Sequence, residues 1–167
     1  SMRDLATYAI LAALAGSPFR VLQMGVGYTL LPRLRAAASA DQRRRLVTRE
    51  AALTAVIVMV AGVTVWFLTP LVVHMLLADK YELGPGLVAA ALVAGTGKTA
   101  SAFTKAMVTA VGDDRAVLNL NKAGWASLVV SIGAGAVGAW WGLIGLLFGV
   151  AIGWVFWASA GLMIALP

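Results

Sequence analysis

Long apolar stretches separated by short polar segments make up nearly the whole sequence. A transmembrane helix needs about 20 mostly apolar residues, because it must cross a hydrocarbon layer about 30 Å thick. Five stretches approach or exceed this length, so the pattern predicts an all-α, polytopic membrane helix bundle with about five transmembrane helices. The predicted spans are approximately 5–31, 51–78, 86–111, 123–138 and 142–166.

The last two predicted spans are read from one uncharged segment that follows Lys122. Two spans fit into it if the chain turns near 138–142, where Trp140 and Trp141 are typical of a membrane interface. Both spans carry small residues at four-residue spacing, a pattern that lets two helix backbones approach closely in lipid. These residues are Ser127, Ser131 and Gly135 on one span and Gly145, Gly149 and Gly153 on the other.

Composition agrees with a membrane protein and excludes several kinds of site. The sequence is 61% hydrophobic and 12% charged, with mean hydropathy +0.90, whereas soluble domains are about 45–50% apolar and 25% charged. Without cysteine there is no thiol nucleophile, and the single His74 cannot build a ligand cluster. Gly97-Lys98-Thr99 ends like a phosphate-binding loop, but Leu92 stands where that loop needs glycine. We therefore expect no enzyme activity, catalytic residue, metal or cofactor.

Positive charge is concentrated in the connector 32–50, which holds six of the thirteen basic residues against Asp41 and Glu50. Such a segment is typical of a nucleic-acid patch or of the cytoplasmic loop of a membrane protein. Because apolar stretches flank it on both sides, the second interpretation is favoured and no nucleic-acid partner is expected. Cytoplasmic loops carry excess Lys and Arg, so this loop and the C-terminus are predicted to be cytoplasmic and the N-terminus external.

Three short motifs resemble one transporter superfamily. The run from Thr29 to Leu34 resembles the Leu-Phe-Pro-x-Leu signature of bacterial polysaccharide and lipid-linked oligosaccharide flippases. The segment from Leu68 to Tyr81 is similar to their Pro-Leu-Ile span end and Gly-x-Lys-Tyr turn, and Trp141 to Leu146 resembles their Gly-Leu-x-Gly-Ala turn. The same superfamily contains the multidrug and toxin extrusion antiporters, whose fold (MATE-like) has two lobes.

The resemblance implies that 1–167 is a partial C-terminal transmembrane lobe and that an N-terminal lobe of the same chain is its missing partner. The implied location is the bacterial inner (plasma) membrane, with multiple spans. The implied function is to flip a lipid-linked, pyrophosphate-bearing oligosaccharide or polysaccharide precursor by alternating access. Lipid-linked glycan and membrane lipids are the implied partners, and polysaccharide assembly enzymes are further candidates.

Isolated cations inside the predicted spans are the candidate substrate-binding residues. Lys98 lies near the middle of its span, where a cation costs about 2.5–3.5 kcal/mol on insertion scales. At 100° per residue, Lys105 is only about 20° away around the helix. On the first span, Arg20 and Gln23 share a face, and a guanidinium can bind phosphate bidentately. The predicted substrate-binding residues are Arg20, Gln23, Lys98, Ser101 and Lys105.

Two other functions remain open. A cation-coupled multidrug antiporter of the same superfamily would use buried carboxylates, and no Asp or Glu lies inside a predicted span. This favours an anionic substrate. If the other lobe carried the coupling carboxylates, however, the antiporter would still fit the sequence. An inactive membrane scaffold of a polysaccharide assembly complex would use the same cations to contact anionic lipid or a partner.

Overall fold

The computed structural model describes residues 9–13, 16–77 and 83–165, and all regular structure in these ranges is helical. This confirms the predicted all-α class. Residues 9–13 form a short helical segment, and a one-turn 3-10 helix at Ala139–Trp141 separates the last two helices. The α-helices are α1 (Gly16–Ala36), α2 (Ala40–Leu77), α3 (Pro85–Val111), α4 (Asp114–Gly138) and α5 (Gly142–Ala165).

Four helical stretches of the described chain are long and apolar enough to cross a membrane, which is consistent with a multi-pass membrane protein. The prediction was about five spans. The difference lies in the fourth stretch, Asp114–Ala165, which is 52 residues long and contains both α4 and α5. The chain reverses between them at Gly142, whose φ of +77° is a conformation that glycine adopts without steric cost.

The five helices alternate in direction, with α3 at the centre. Gly95 of α3 lies against Phe19 of α1, and Gly97 lies against Trp154 of α5. Farther along α3, Met107 shares a buried cluster with residues of α1 near its C-terminal end, so α1, α3 and α5 run parallel. The helix α2 packs antiparallel against α3, because Val65 lies near the start of α3 and Leu46 near its end. The helix α4 packs on α5. This alternation is the one expected when successive spans cross the same layer.

Two buried clusters join α3 to its neighbours at opposite ends of the bundle. Outside these clusters many large apolar side chains are exposed, including Phe67 at 72% and Trp125 at 73%. Such exposure is expected where lipid surrounds the helices, because lipid does not penalise apolar surface. One cluster contains Leu11, Val65, Leu87, Val88, Ala90 and Leu147. The other contains Val26, Leu30, Leu34, Ala106 and Met107.

The connector 32–50 is mostly helical, a feature that the sequence analysis did not predict. It adds a last turn to α1 and the first eleven residues to α2, and only residues 37–39 are not helical. Alanine and arginine favour helix, and Ser39 caps α2 by accepting a hydrogen bond from the Gln42 N–H at 3.2 Å. The Gln42 side chain accepts the Ala38 N–H at 3.0 Å, an exchange similar to a capping box.

The small residues of α4 and α5 lie in the interface between these helices, as predicted. A Cβ added to Gly145 or Gly149 would collide with backbone atoms of α4. At the next position along the interface, Ser131 Oγ donates a hydrogen bond to the Val150 carbonyl at 3.2 Å. The two helices therefore form a hairpin whose backbones are in direct contact.

Candidate functional site

A cleft of about 180 Å³ opens between α1, α3 and α5. Three polar side chains line it: Arg20 and Gln23 from α1, and Lys98 from α3. The rest of the lining is apolar or glycine, and it includes residues of the helical segment 9–13. These residues are Leu11, Ala12, Gly16, Phe19, Ala91, Ala94, Gly95, Leu147 and Val150.

Lys98 lies at the middle of α3, thirteen residues from both Pro85 and Val111. Its Nζ is 5.4 Å from the centroid of the Trp154 ring, within the range of a cation–π interaction. Gly97 makes this approach possible, because a Cβ there would lie only 3.1 Å from Trp154 Cβ. The half-buried ammonium group is therefore held between the cleft and an aromatic ring of α5.

The position of Arg20 depends on its neighbour Phe19. Phe19 is 1% exposed and its ring lies over Gly95, where an added Cβ would be 2.5 Å from Phe19 Cδ2. This contact sets the rotation of α1 against α3. The Arg20 side chain, one residue on, then lines the open side of the cleft, where it is exposed.

The cleft brings two cations, Arg20 and Lys98, together. Among the described residues, no carboxylate lines it, and the side chains of Arg20, Gln23 and Lys98 make no hydrogen bond or ion pair. A guanidinium offers five N–H donors and an ammonium three. The cleft can thus surround one small anion with donors from two helices.

The other two predicted binding residues lie outside this cleft. Ser101 is 3% exposed, and its hydroxyl donates to the Lys98 carbonyl at 2.7 Å, so it is used within α3. Lys105 is exposed and lies about 10 Å farther along the helix axis than Lys98. Ser101 and Lys105 were predicted from the helix face that they share with Lys98, but the cleft occupies only part of that face.

Sequence reasoning missed the residues that hold the site together. Phe19 and Trp154 were read as parts of apolar spans, yet each packs on a glycine beside Lys98. The signal was the pair Gly95 and Gly97, two helix-weakening residues just before a central lysine. Both lie inside α3, so this segment has no phosphate-binding loop and serves instead for close helix packing.

Comparison with known proteins does not assign the cleft to a family. Neither a protein-family model, a curated protein nor a solved structure matches the chain.

Proposed function

We propose that this chain is part of a membrane transporter that moves lipid-linked, pyrophosphate-bearing sugars across the bacterial inner membrane by alternating access. In this proposal the cleft binds the pyrophosphate group while the sugar changes sides. The observation that carries the proposal is the pairing of Arg20 and Lys98 in one cleft between helices able to cross a membrane.

The energetic cost of these two cations supports an anionic ligand. A charged side chain at the centre of a bilayer costs about 2.5–3.5 kcal/mol on insertion scales and more in simulations. Lys98 recovers part of this cost from Trp154, but Arg20 beside it adds like-charge repulsion. A phosphate would neutralise both cations, and the guanidinium geometry suits its oxygen atoms.

The size of the cleft supports a head group as the bound part. Pockets for drug-sized ligands measure about 300–1,000 Å³, whereas this one measures about 180 Å³. A phosphate group fits into this space and a glycan does not. We therefore place the sugar outside the cleft, towards the second lobe that the proposal requires.

The same lining argues against cation-coupled drug export as the function of this cleft. An antiporter that couples to protons or sodium uses carboxylates within the membrane. Among the described residues of the cleft the charged groups are Arg20 and Lys98, both cations. An organic cation would be repelled by them.

The test is to replace Lys98 in the protein that contains this chain and to measure translocation of a lipid-linked sugar in proteoliposomes. Lys98→Ala should abolish most of the flux and weaken binding of polyprenyl pyrophosphate about 10- to 100-fold, since a charged hydrogen bond contributes about 1.5–3 kcal/mol. Lys98→Arg, which keeps the charge, should retain part of both. Neutral polyprenol of the same chain length should bind equally to all variants.

Lys122→Ala is the matched control, because Lys122 is exposed on α4 and does not line the cleft. If Lys98→Ala transports at the wild-type rate, the cleft is not part of the transport pathway. Glycan export that needs the chain in cells but tolerates loss of both Arg20 and Lys98 would instead support the scaffold. A loss caused by Lys105→Ala alone would move the binding site towards the end of α3.

A further inference from the structure

A second concave surface lies between α2, α3 and α5. It is an apolar groove of about 390 Å³ lined by Ala51, Ala55 and Val58 of α2, Phe103 of α3 and Leu162 of α5, among others. Its lining from α3 comes from different positions than those that line the cation cleft. The groove is therefore a separate site from the proposed transport cleft.

Two buried threonines, Thr99 and Thr104, add little polarity to the groove. Thr99 Oγ1 donates a hydrogen bond to the Gly95 carbonyl at 3.0 Å, and Thr104 Oγ1 donates to the Ser101 carbonyl at 3.1 Å. Both hydroxyl groups are thus satisfied within α3. Thr54, Thr96 and Ser159 also line the groove, but apolar side chains make up the larger part of its lining, which suits a hydrocarbon chain.

A basic depression adjoins the groove on α2. Arg44, Arg45, Thr48 and Arg49 line it, together with Asp41 and Ala52. On α2 the lining of the groove begins at Ala51, the residue next to Ala52 of the depression. Arg44 lies seven residues before Ala51, which puts both on the same helix face, about 10 Å apart along the axis. Arg44 therefore stands at one end of the apolar groove, and Arg45 flanks it about 100° farther around the helix.

These arginines have no carboxylate partner within 4.0 Å among the described residues. The nearby carboxylate of Glu50 accepts a hydrogen bond from Arg33 Nη1 at 2.6 Å, and this ion pair ties α1 to α2. Arg44, Arg45 and Arg49 are exposed. Their net charge with Asp41 is positive, so the depression attracts anions.

The length of α2 places this charge at the level of lipid head groups. The helix has 38 residues and is about 57 Å long, whereas the hydrocarbon layer is about 30 Å thick. Its long uncharged stretch begins at Ala51, and the arginines lie within the two turns before this point. A lipid whose acyl chains pack against α2 would have its phosphate group beside these arginines.

We infer that this surface binds one anionic phospholipid, with its phosphate at Arg44 and Arg45 and one acyl chain in the groove. The charge of the depression selects a lipid with net negative charge over a zwitterionic one, since a choline group would be repelled. The apolar groove selects a lipid over free phosphate. This inference does not rest on the proposed transport function, because the two sites use different residues.

The test is a binding titration of the purified chain in neutral detergent with phosphatidylglycerol, phosphatidylcholine of the same acyl chains, and glycerol 3-phosphate. Replacing Arg44 and Arg45 with alanine should weaken phosphatidylglycerol binding roughly 30-fold, at about 1 kcal/mol for each arginine. Phosphatidylcholine binding should stay unchanged. The matched control is Arg35→Ala with Arg115→Ala, which removes two exposed arginines outside the depression and should leave both affinities unchanged.

A second pair of variants tests the groove. Ala55→Trp fills it and should weaken the binding of both lipids, while Val56→Trp, on an exposed neighbouring position at 52%, should not. Circular dichroism checks that every variant remains helical.

Equal affinity of the wild type for the two lipids would overturn the inference. The same holds if the double arginine variant binds phosphatidylglycerol as its control does. Competition by glycerol 3-phosphate with no effect of Ala55→Trp would mean an anion site without a lipid chain. Tighter binding of polyprenyl phosphate than of phosphatidylglycerol would assign the site to the carrier lipid instead.

Discussion

Replacing Gly95 with alanine should loosen the contact that holds α1 against α3. The new Cβ would lie 2.5, 2.7 and 2.9 Å from Cδ2, Cγ and Cε2 of Phe19, whereas carbon atoms in favourable contact are about 3.5–4.0 Å apart. The ring must therefore move by about 1 Å to restore a normal distance. Phe19 is only 1% exposed, so the ring cannot move without displacing its neighbours.

The expected cost is that of overpacking, about 1–3 kcal/mol. Alanine is also a better helix former than glycine by about 1 kcal/mol, and this gain would hide part of the effect. Gly62→Ala is the matched control, because Gly62 also lies inside a helix and its added Cβ meets no atom within 4 Å. The free energy of unfolding of the Gly95 variant should be lower than that of the control by about 1–3 kcal/mol.

The assay is reversible unfolding of the purified chain in mixed micelles, followed by circular dichroism. Adding Phe19→Leu to Gly95→Ala should recover part of the loss, because the smaller side chain makes room for the methyl group; a double-mutant cycle would measure this coupling. The proposed contact is refuted if Gly95→Ala is as stable as Gly62→Ala. It is equally refuted if the effects of the two substitutions at Phe19 and Gly95 simply add.

Two further predictions concern the helix pair and the cap of α2. Gly153→Ala should destabilise the α4–α5 hairpin more than Gly133→Ala. A Cβ at Gly153 would overlap the Ser131 side chain, whereas Gly133 faces open space. Equal unfolding free energies of the two variants would contradict this packing. Ser39→Ala should lower helix stability at the start of α2 by about 1 kcal/mol and Ser39→Asp should not, which hydrogen exchange of residues 40–46 can measure. If exchange there is the same in all three proteins, the cap does not stabilise the helix.

Several features of the fold could be predicted from local sequence. The third helix was expected at 86–111 and is Pro85–Val111, and the turn near 138–142 contains the 3-10 helix and Gly142. The helical structure of the connector 32–50 was not predicted. Its charges ended the apolar stretches but did not end the helices, and the Ser39-x-x-Gln42 cap was the overlooked signal for where α2 begins.

The candidate site could be predicted only in part. Lys98 was chosen for its cost in lipid, and Arg20 with Gln23 for a shared helix face and the phosphate-binding guanidinium. All three line the same cleft. Lys105 was chosen as a second cation in the same span and Ser101 for its place on the same helix face, and both lie outside the cleft. Whether a position on a helix face borders a cleft depends on where the neighbouring helices separate, which no single span reveals.

By itself, the sequence determined the helical class and the apolar spans, because a bilayer requires about 20 apolar residues and internal backbone hydrogen bonds from each span separately. Only the tertiary structure decided which residues meet. Phe19 and Trp154 come from distant parts of the chain and pack on glycines two residues apart in α3. These contacts orient Arg20 and Lys98 because close packing joins particular pairs of helices, and that pairing is a property of the whole bundle.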